Sequence, residues 1–264
     1  MNPASLNVIK SLYDELASGR QEYDFLPPAL VSHADHYASQ PERLRTYARQ
    51  VISARIMILL VSSRMNTQAL LNTYLLGVAS SNPFPMVLAA RSQLELYAVV
   101  ADTTAVIDKN AGEHPHNFSA RVRAVDEALI NATFASRSSQ VKELMTKAVK
   151  SKARPVNPTD HEVLISKNVL TRLDKLARSG VYSECKNDYE RLCEYVHPNY
   201  GMNTLHVVAS PLNDKLLRFS LKSQEPFERS LSASVDVMAR AAQETVAAID
   251  KIQPPFGAGV TSNL

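Results

Sequence analysis

The sequence predicts an all-α fold: a multi-helix bundle carrying one small β-hairpin near residues 204–221. Glycine is scarce, with 7 in 264 residues, while Ala, Leu, Arg, Glu and Gln, all good helix formers, fill most segments. Apolar residues return at helical spacing in one stretch after another. Only one place pairs two short strand-favouring runs across a turn. The charged (21%) and hydrophobic (45%) fractions are those of an ordinary folded chain long enough to bury a core.

Residues 3–19 form the first amphipathic helix, with Leu6, Ile9, Leu12, Tyr13 and Leu16 on one face and Gly19 as its stop. After the break at "FLPPALVSHADHYASQP", Pro41 opens a second helix, with Leu44, Tyr47, Val51, Ala54, Ile58 and Val61 inward and Arg43, Arg45, Arg49 and Arg55 as a basic face. "NTQALLNTYLLGVAS" supplies a third, ended by "NPFP". "FPMVLAARSQLELYAVVAD" is apolar nearly all round, as a central helix is, and Arg91 and Glu95 stand four apart, in reach of one another. Residues 117–152 carry two Lys- and Arg-rich helical segments. "HEVLISKNVLTRLDKLARSG" ends at Gly180, where a left-handed residue suits glycine. "TLHVVAS" and "KLLRFSL" flank "PLND" as the hairpin, and the last helix runs from about Pro226 to Ile252.

No linker divides the chain convincingly. The expected organisation is one helical domain over 1–264, with N-terminal helices (1–80) packed on a core (84–252) and a flexible tail (253–264).

A net charge of +3 neither requires nor excludes a nucleic-acid partner. Two cysteines, Cys185 and Cys193, make a secreted disulfide scaffold improbable, and the N-terminus lacks the pattern of a signal peptide. The most apolar run, "VISARIMILLV", is 11 residues long and contains Arg55, too short and too charged to span a bilayer. A cytoplasmic protein without a membrane segment is expected. The chain has no glycine-rich phosphate loop and no G-x-S-x-G, which disfavours nucleotide hydrolysis and serine hydrolase chemistry.

The stretch "YERLCEYVHPNY" (189–200) carries the chemistry. Tyr189, Leu192, Cys193 and Val196 fall on one helical stripe facing the core, and Arg191 lies on the opposite side beside Glu194 and Tyr195. Pro198 pushes His197 out of the helix, making it the C-cap, where the carbonyl end of the dipole favours a protonated imidazole. Asn199 and Tyr200 follow in the turn. On an ideal helix Arg191 and His197 lie roughly 120° apart, so they converge only if the last turn unwinds or a second subunit faces them across a two-fold axis.

R-x5-H at a helix end, here "RLCEYVH", resembles the Arg-x4–6-His motif of the HEPN superfamily of helical bundles. Within it the chain is similar, over about 84–252, to bacterial proteins pairing an R-S-x-x-E helix, here Arg91 to Glu95, with a Y-x-x-L-x-x-x-V-H-P helix, here Tyr189 to Pro198. The resemblance implies a homodimeric, metal-independent endoribonuclease of a toxin or phage-defence system, with RNA as substrate and an antitoxin or defence protein as further partner. It implies attack of a ribose 2′-hydroxyl on the adjacent phosphate. His197 would move the proton and Arg191 would hold the phosphate. Asn199, Tyr200, Glu194, Arg91 and Glu95 would orient or bind, with no cofactor and no metal. In ribonucleolytic members the position after the arginine is often polar; here it is Leu192.

Blander readings stand beside this one. His197 can cap its own helix and pair with Glu194, and Arg91 with Glu95 can be a buried ion pair that fixes helix register. Cys193 and His197 have a spacing compatible with metal ligation, but the core stripe already accounts for Cys193. The histidines of "HADH" and "HPH" read as solvated loop residues. The alternative function is a non-catalytic module that binds RNA, a ligand or a protein.

Overall fold

The computed structural model describes residues 2–24, 32–111, 117–135, 143, 167–196, 207–212, 216–219, 224–252 and 256. Within them the fold is an all-α multi-helix bundle with one two-stranded antiparallel pair. The chain forms two compact units, each assembled from separated stretches: Met1–Gln21, Arg64–Ala98 and Leu173–Ala247 in the first, and Glu22–Ser63, Val99–Arg172 and Ala248–Leu264 in the second.

In the first unit, α1 (Pro3–Ser18) starts as its sequence dictates. The Asn2 side chain accepts from the Ala4 amide (3.2 Å), and Pro3 takes a first-turn position that needs no N–H. Gly19 caps the other end. Asn2 and Ser5 both donate to Asp236 Oδ1, at 3.0 and 2.5 Å, and Ile9 and Leu12 are buried.

The helices α3 (Ser53–Ala79) and α4 (Pro83–Asn110) turn about Ser80–Asn82, once α2 (Pro41–Tyr47) has led into α3. The Asn82 amide donates to Gly77 O (2.8 Å), and Asn82 Oδ1 accepts from the Phe84 amide (3.1 Å), capping α4. A Cβ on Gly77 would sit 2.7 Å from Met86 Cγ, so this close helix contact requires glycine.

Continuing the first unit, α6 (Val169–Ser179, after α5 at Phe118–Phe134) ends at Gly180, whose φ of +80° is the left-handed stop the sequence predicts. Next come α7 (Cys185–Val196), strands β1 (Val207–Ala209) and β2 (Leu217–Phe219), and α8 (Glu225–Asp250). The strands pair antiparallel with Val208 opposite Arg218, at the expected hairpin. Arg229 on α8 donates to Val207 O (2.6 Å). Gln93 of α4 spans three helices, its amide donating to Thr67 (3.3 Å) and Thr245 (3.0 Å). Tyr74 and Ser234 hydroxyls meet at 3.0 Å.

Two expectations about the second and third helices are corrected. They are expected as separate elements, but α3 runs unbroken for 27 residues through Ser63 and Arg64, where no proline or glycine interrupts it. Between α2 and α3 lies a π-helical turn, Ala48–Ile52. A π turn holds residues five apart on one side of the helix, so Ile52 follows Tyr47 inward. The buried set becomes Leu44, Tyr47, Ala48, Ile52, Ile56, Leu59 and Val61, while Ala54, expected inward, is exposed.

That shift also turns Arg55 from the expected basic face into the interior of the second unit. Its side chain is 0% exposed and pairs with Asp126, also 0% exposed, at 2.7 Å. Tyr47 donates its hydroxyl to Asp126 Oδ2 (2.5 Å) and accepts from the His33 amide (3.0 Å). His33 is therefore half-buried against Tyr47 and not the solvated loop residue expected. Burial and the neighbouring carboxylate hold the Tyr47 phenol well above its ordinary pKa, so it stays a donor. Around the pair lies an apolar cluster including Leu44, Ile52, Ile56, Leu59, Ile107, Val122, Val125 and Leu129. Phe256, within the stretch expected as a tail, is 2% exposed and meets Phe118 edge to face.

Replacing Asp126 with Ala strands a buried guanidinium away from its carboxylate and is expected to cost about 3–5 kcal/mol in urea unfolding. Arg55→Leu with Asp126→Leu removes both charges and is expected to cost much less; equal losses would show that the charge is not what matters.

Candidate functional site

The sequence leaves α4 with Arg91 and Glu95 on one side and α7 with Tyr189 and Cys193 on one side, each pair four residues apart and hence stacked along its helix. In the first unit these two pairs meet. Arg91 Nη2 lies 2.9 Å from Glu95 Oε1 and donates to the Tyr189 hydroxyl at 2.8 Å. Tyr189 donates to the same Glu95 oxygen at 2.7 Å, closing a triangle of three groups from two helices. Arg91 Nε donates to Cys193 Sγ at 3.2 Å, and the guanidinium carbon stands 5.1 Å from the Tyr189 ring centroid.

The electrostatics fix the protonation of this cluster. Burial, reinforced by the hydrogen bond to Glu95 and its charge, pushes the Tyr189 phenol far up, against the pull of Arg91. Burial works against the Arg91 charge, yet the bond to Cys193 and the charge of Glu95 outweigh it and hold the guanidinium more basic than usual. Near neutral pH the phenol keeps its proton and the arginine its charge. The cluster therefore acts as a lock between α4 and α7.

A second set of contacts surrounds Arg191. Its side chain is 50% exposed. Nη2 donates to Asp188 Oδ1 at 2.9 Å and to Ala233 O of α8 at 3.2 Å. Asp188 accepts on its other oxygen from Tyr182 (2.8 Å). The Arg240 guanidinium lies 4.1 Å over the Tyr182 ring and pairs with Glu184 at 3.2 Å. Burial and then Asp188 raise the Tyr182 phenol, so it too remains a donor. Arg191 is two residues from both Tyr189 and Cys193, roughly 200° around the helix, so α7 carries the lock on one face and Arg191 on the other.

Of the residues the sequence singles out, Arg91 and Glu95 are together and Arg191 is apart from them. Glu194 is exposed on α7. His197, Asn199 and Tyr200 lie outside the described residues. Arg91 and Glu95 form the expected pair, but at 21% and 38% side-chain exposure it is a half-open one, not a buried one. Cys193, expected in the core stripe, is half-exposed and faces Arg91. The sequence reading misses Tyr189 and Asp188 as polar partners; matched i, i+4 pairs on two helices are the signal that could have found Tyr189.

Comparison with family models, curated proteins and solved structures finds no match to this chain. Among the described residues no three His, Cys, Asp or Glu side chains gather as a metal site, and no helix is long and apolar enough to cross a membrane.

The two thiols differ in a measurable way. Cys185 is 0% exposed, its Sγ is bonded to Leu173 O, and burial raises its pKa, whereas Cys193 is half-exposed. In the native protein one thiol is expected to react with an aromatic disulfide reagent, two after denaturation, and Cys193→Ser should remove the native reaction. Fast reaction of both native thiols would contradict this placement.

Proposed function

We propose that the chain is a HEPN-type metal-independent endoribonuclease of a toxin or defence system, working at the C-terminal end of α7 with Arg191 and His197. The observation that carries the reading is the pairing of the two motif helices. The R-S-x-x-E helix is bonded to the Y-x-x-L-x-x-x-V-H-P helix through Arg91, Glu95, Tyr189 and Cys193, which supports the reading. That lock occupies one face of α7 and leaves Arg191 half-exposed on the other. An exposed guanidinium fits a phosphate, whose charge grows on its oxygens as the 2′-hydroxyl attacks. His197, the next residue after Val196, supplies the kind of side chain that moves a proton in such a step.

A second reading draws on Asp188 and Leu192. The carboxylate 2.9 Å from Arg191 already offsets its charge, and Leu192 is 0% exposed where ribonucleolytic relatives often have a polar group. Both favour a module of a defence or regulatory system that binds RNA, a ligand or a protein without cutting it.

The deciding experiment incubates the protein, His197→Ala and Arg191→Ala with mixed cellular RNA in excess EDTA, reading fragment ends. The expected result is cutting by the unaltered protein alone, at least a hundredfold above either variant, leaving 2′,3′-cyclic phosphate. Cutting that survives in His197→Ala, or that needs a divalent cation, would overturn the proposal. RNA retained but uncut would favour the second reading.

A further inference from the structure

We infer that Asp188 is a built-in competitor for Arg191, setting how tightly this arginine takes a phosphate. This deepens the RNA reading above and rests on it. A guanidinium presents two forks to an oxyanion, one from Nη1 with Nη2 and one from Nε with Nη2. Both forks include Nη2, and Nη2 has two hydrogens. In the first unit both are spent, one on Asp188 Oδ1 at 2.9 Å and one on Ala233 O at 3.2 Å. A phosphate can thus meet Nε or Nη1 singly while these bonds hold. It gains a full fork only by displacing an acceptor.

Asp188 is well placed to compete. Its side chain is 19% exposed, against 50% for Arg191, and its second oxygen is held by the Tyr182 hydroxyl at 2.8 Å. Tyr182 is itself 1% exposed and lies under the Arg240 guanidinium at 4.1 Å. The carboxylate is therefore anchored from the buried side, while the arginine is the more exposed partner. Release of Nη2 from Asp188 leaves the carbonyl of Ala233 as its one acceptor among the described residues and frees a fork for an oxyanion. An asparagine at 188 keeps an oxygen for Tyr182 and removes the charge that holds Arg191.

The test compares binding of a short single-stranded RNA of mixed sequence, all proteins carrying His197→Ala so that the probe stays whole. Asp188→Asn is set against Glu42→Gln. Glu42 forms an exposed pair with Arg45 at 2.6 Å, also three residues apart, so its replacement changes the net charge equally. Asp188→Asn is expected to tighten binding about three- to fivefold, the size of a lost exposed pair, with Glu42→Gln near unity. Adding Arg191→Ala to Asp188→Asn should remove the gain, with helical circular dichroism unchanged throughout. An equal gain in Glu42→Gln, a gain that survives without Arg191, or no gain in a protein that binds RNA would each overturn the competitor role alone. If no variant retains the RNA, the RNA reading falls and the role falls with it.

Discussion

A single carboxylate oxygen, Glu95 Oε1, has to satisfy a guanidinium on its own helix and a phenol on another. Much of the candidate site follows from that constraint. Arg91 is oriented by Glu95 so that one nitrogen meets Tyr189 and another meets Cys193, which fixes both the rotation of α7 and its height along α4. Apolar packing of Leu192 and Cys185 supplies attraction but little choice of register, because neighbouring apolar side chains can exchange places at small cost. A slip of α7 by one turn would take Tyr189 and Cys193 away from Arg91 and Glu95, stranding a buried phenol hydroxyl without its partners while the Arg91–Glu95 pair stayed closed within α4. Arg191 points away from this lock because helix geometry puts it there.

The two faces of α7 thus have different duties. One face is closed by the bonds that Arg91 and Glu95 make to Tyr189 and Cys193, which suits positioning. The other presents an arginine whose counter-ion is anchored below it by Tyr182. The second unit holds a fully buried ion pair, Arg55 with Asp126, and Tyr47 bridges from it to the segment at His33. In each case a tyrosine hydroxyl also donates to the carboxylate, which makes such pairs specific and expensive to break from one side.

How far the sequence was legible can be followed residue by residue. The stops at Gly19 and Gly180, the stripe of Tyr189 and Leu192 and the strand pair at Val207 and Leu217 all follow from local chemistry, and all are where spacing and turn residues put them. Where tertiary contacts override the 3.6-residue period, reading fails. The π turn at Ala48–Ile52 has no compositional mark, so Ala54 was expected inward and Arg55 outward. Arg55 is inward because Asp126, far along the chain, is there to meet it. Periodicity places Cys193 and Tyr189 on a buried stripe but is blind to which polar atoms the facing helix brings, so their bonds to Arg91 and Glu95 were not legible.

The most direct test of the account is the coupling between Glu95 and Tyr189, measured by urea unfolding of Glu95→Ala, Tyr189→Phe and the double variant. If one shared oxygen locks α7 to α4, the two losses should fall short of adding by about 1 kcal/mol or more, since removing either partner already breaks the triangle. Losses that add to within about 0.3 kcal/mol would mean the two side chains do not act on one another, and the positioning of α7 would have to be sought elsewhere.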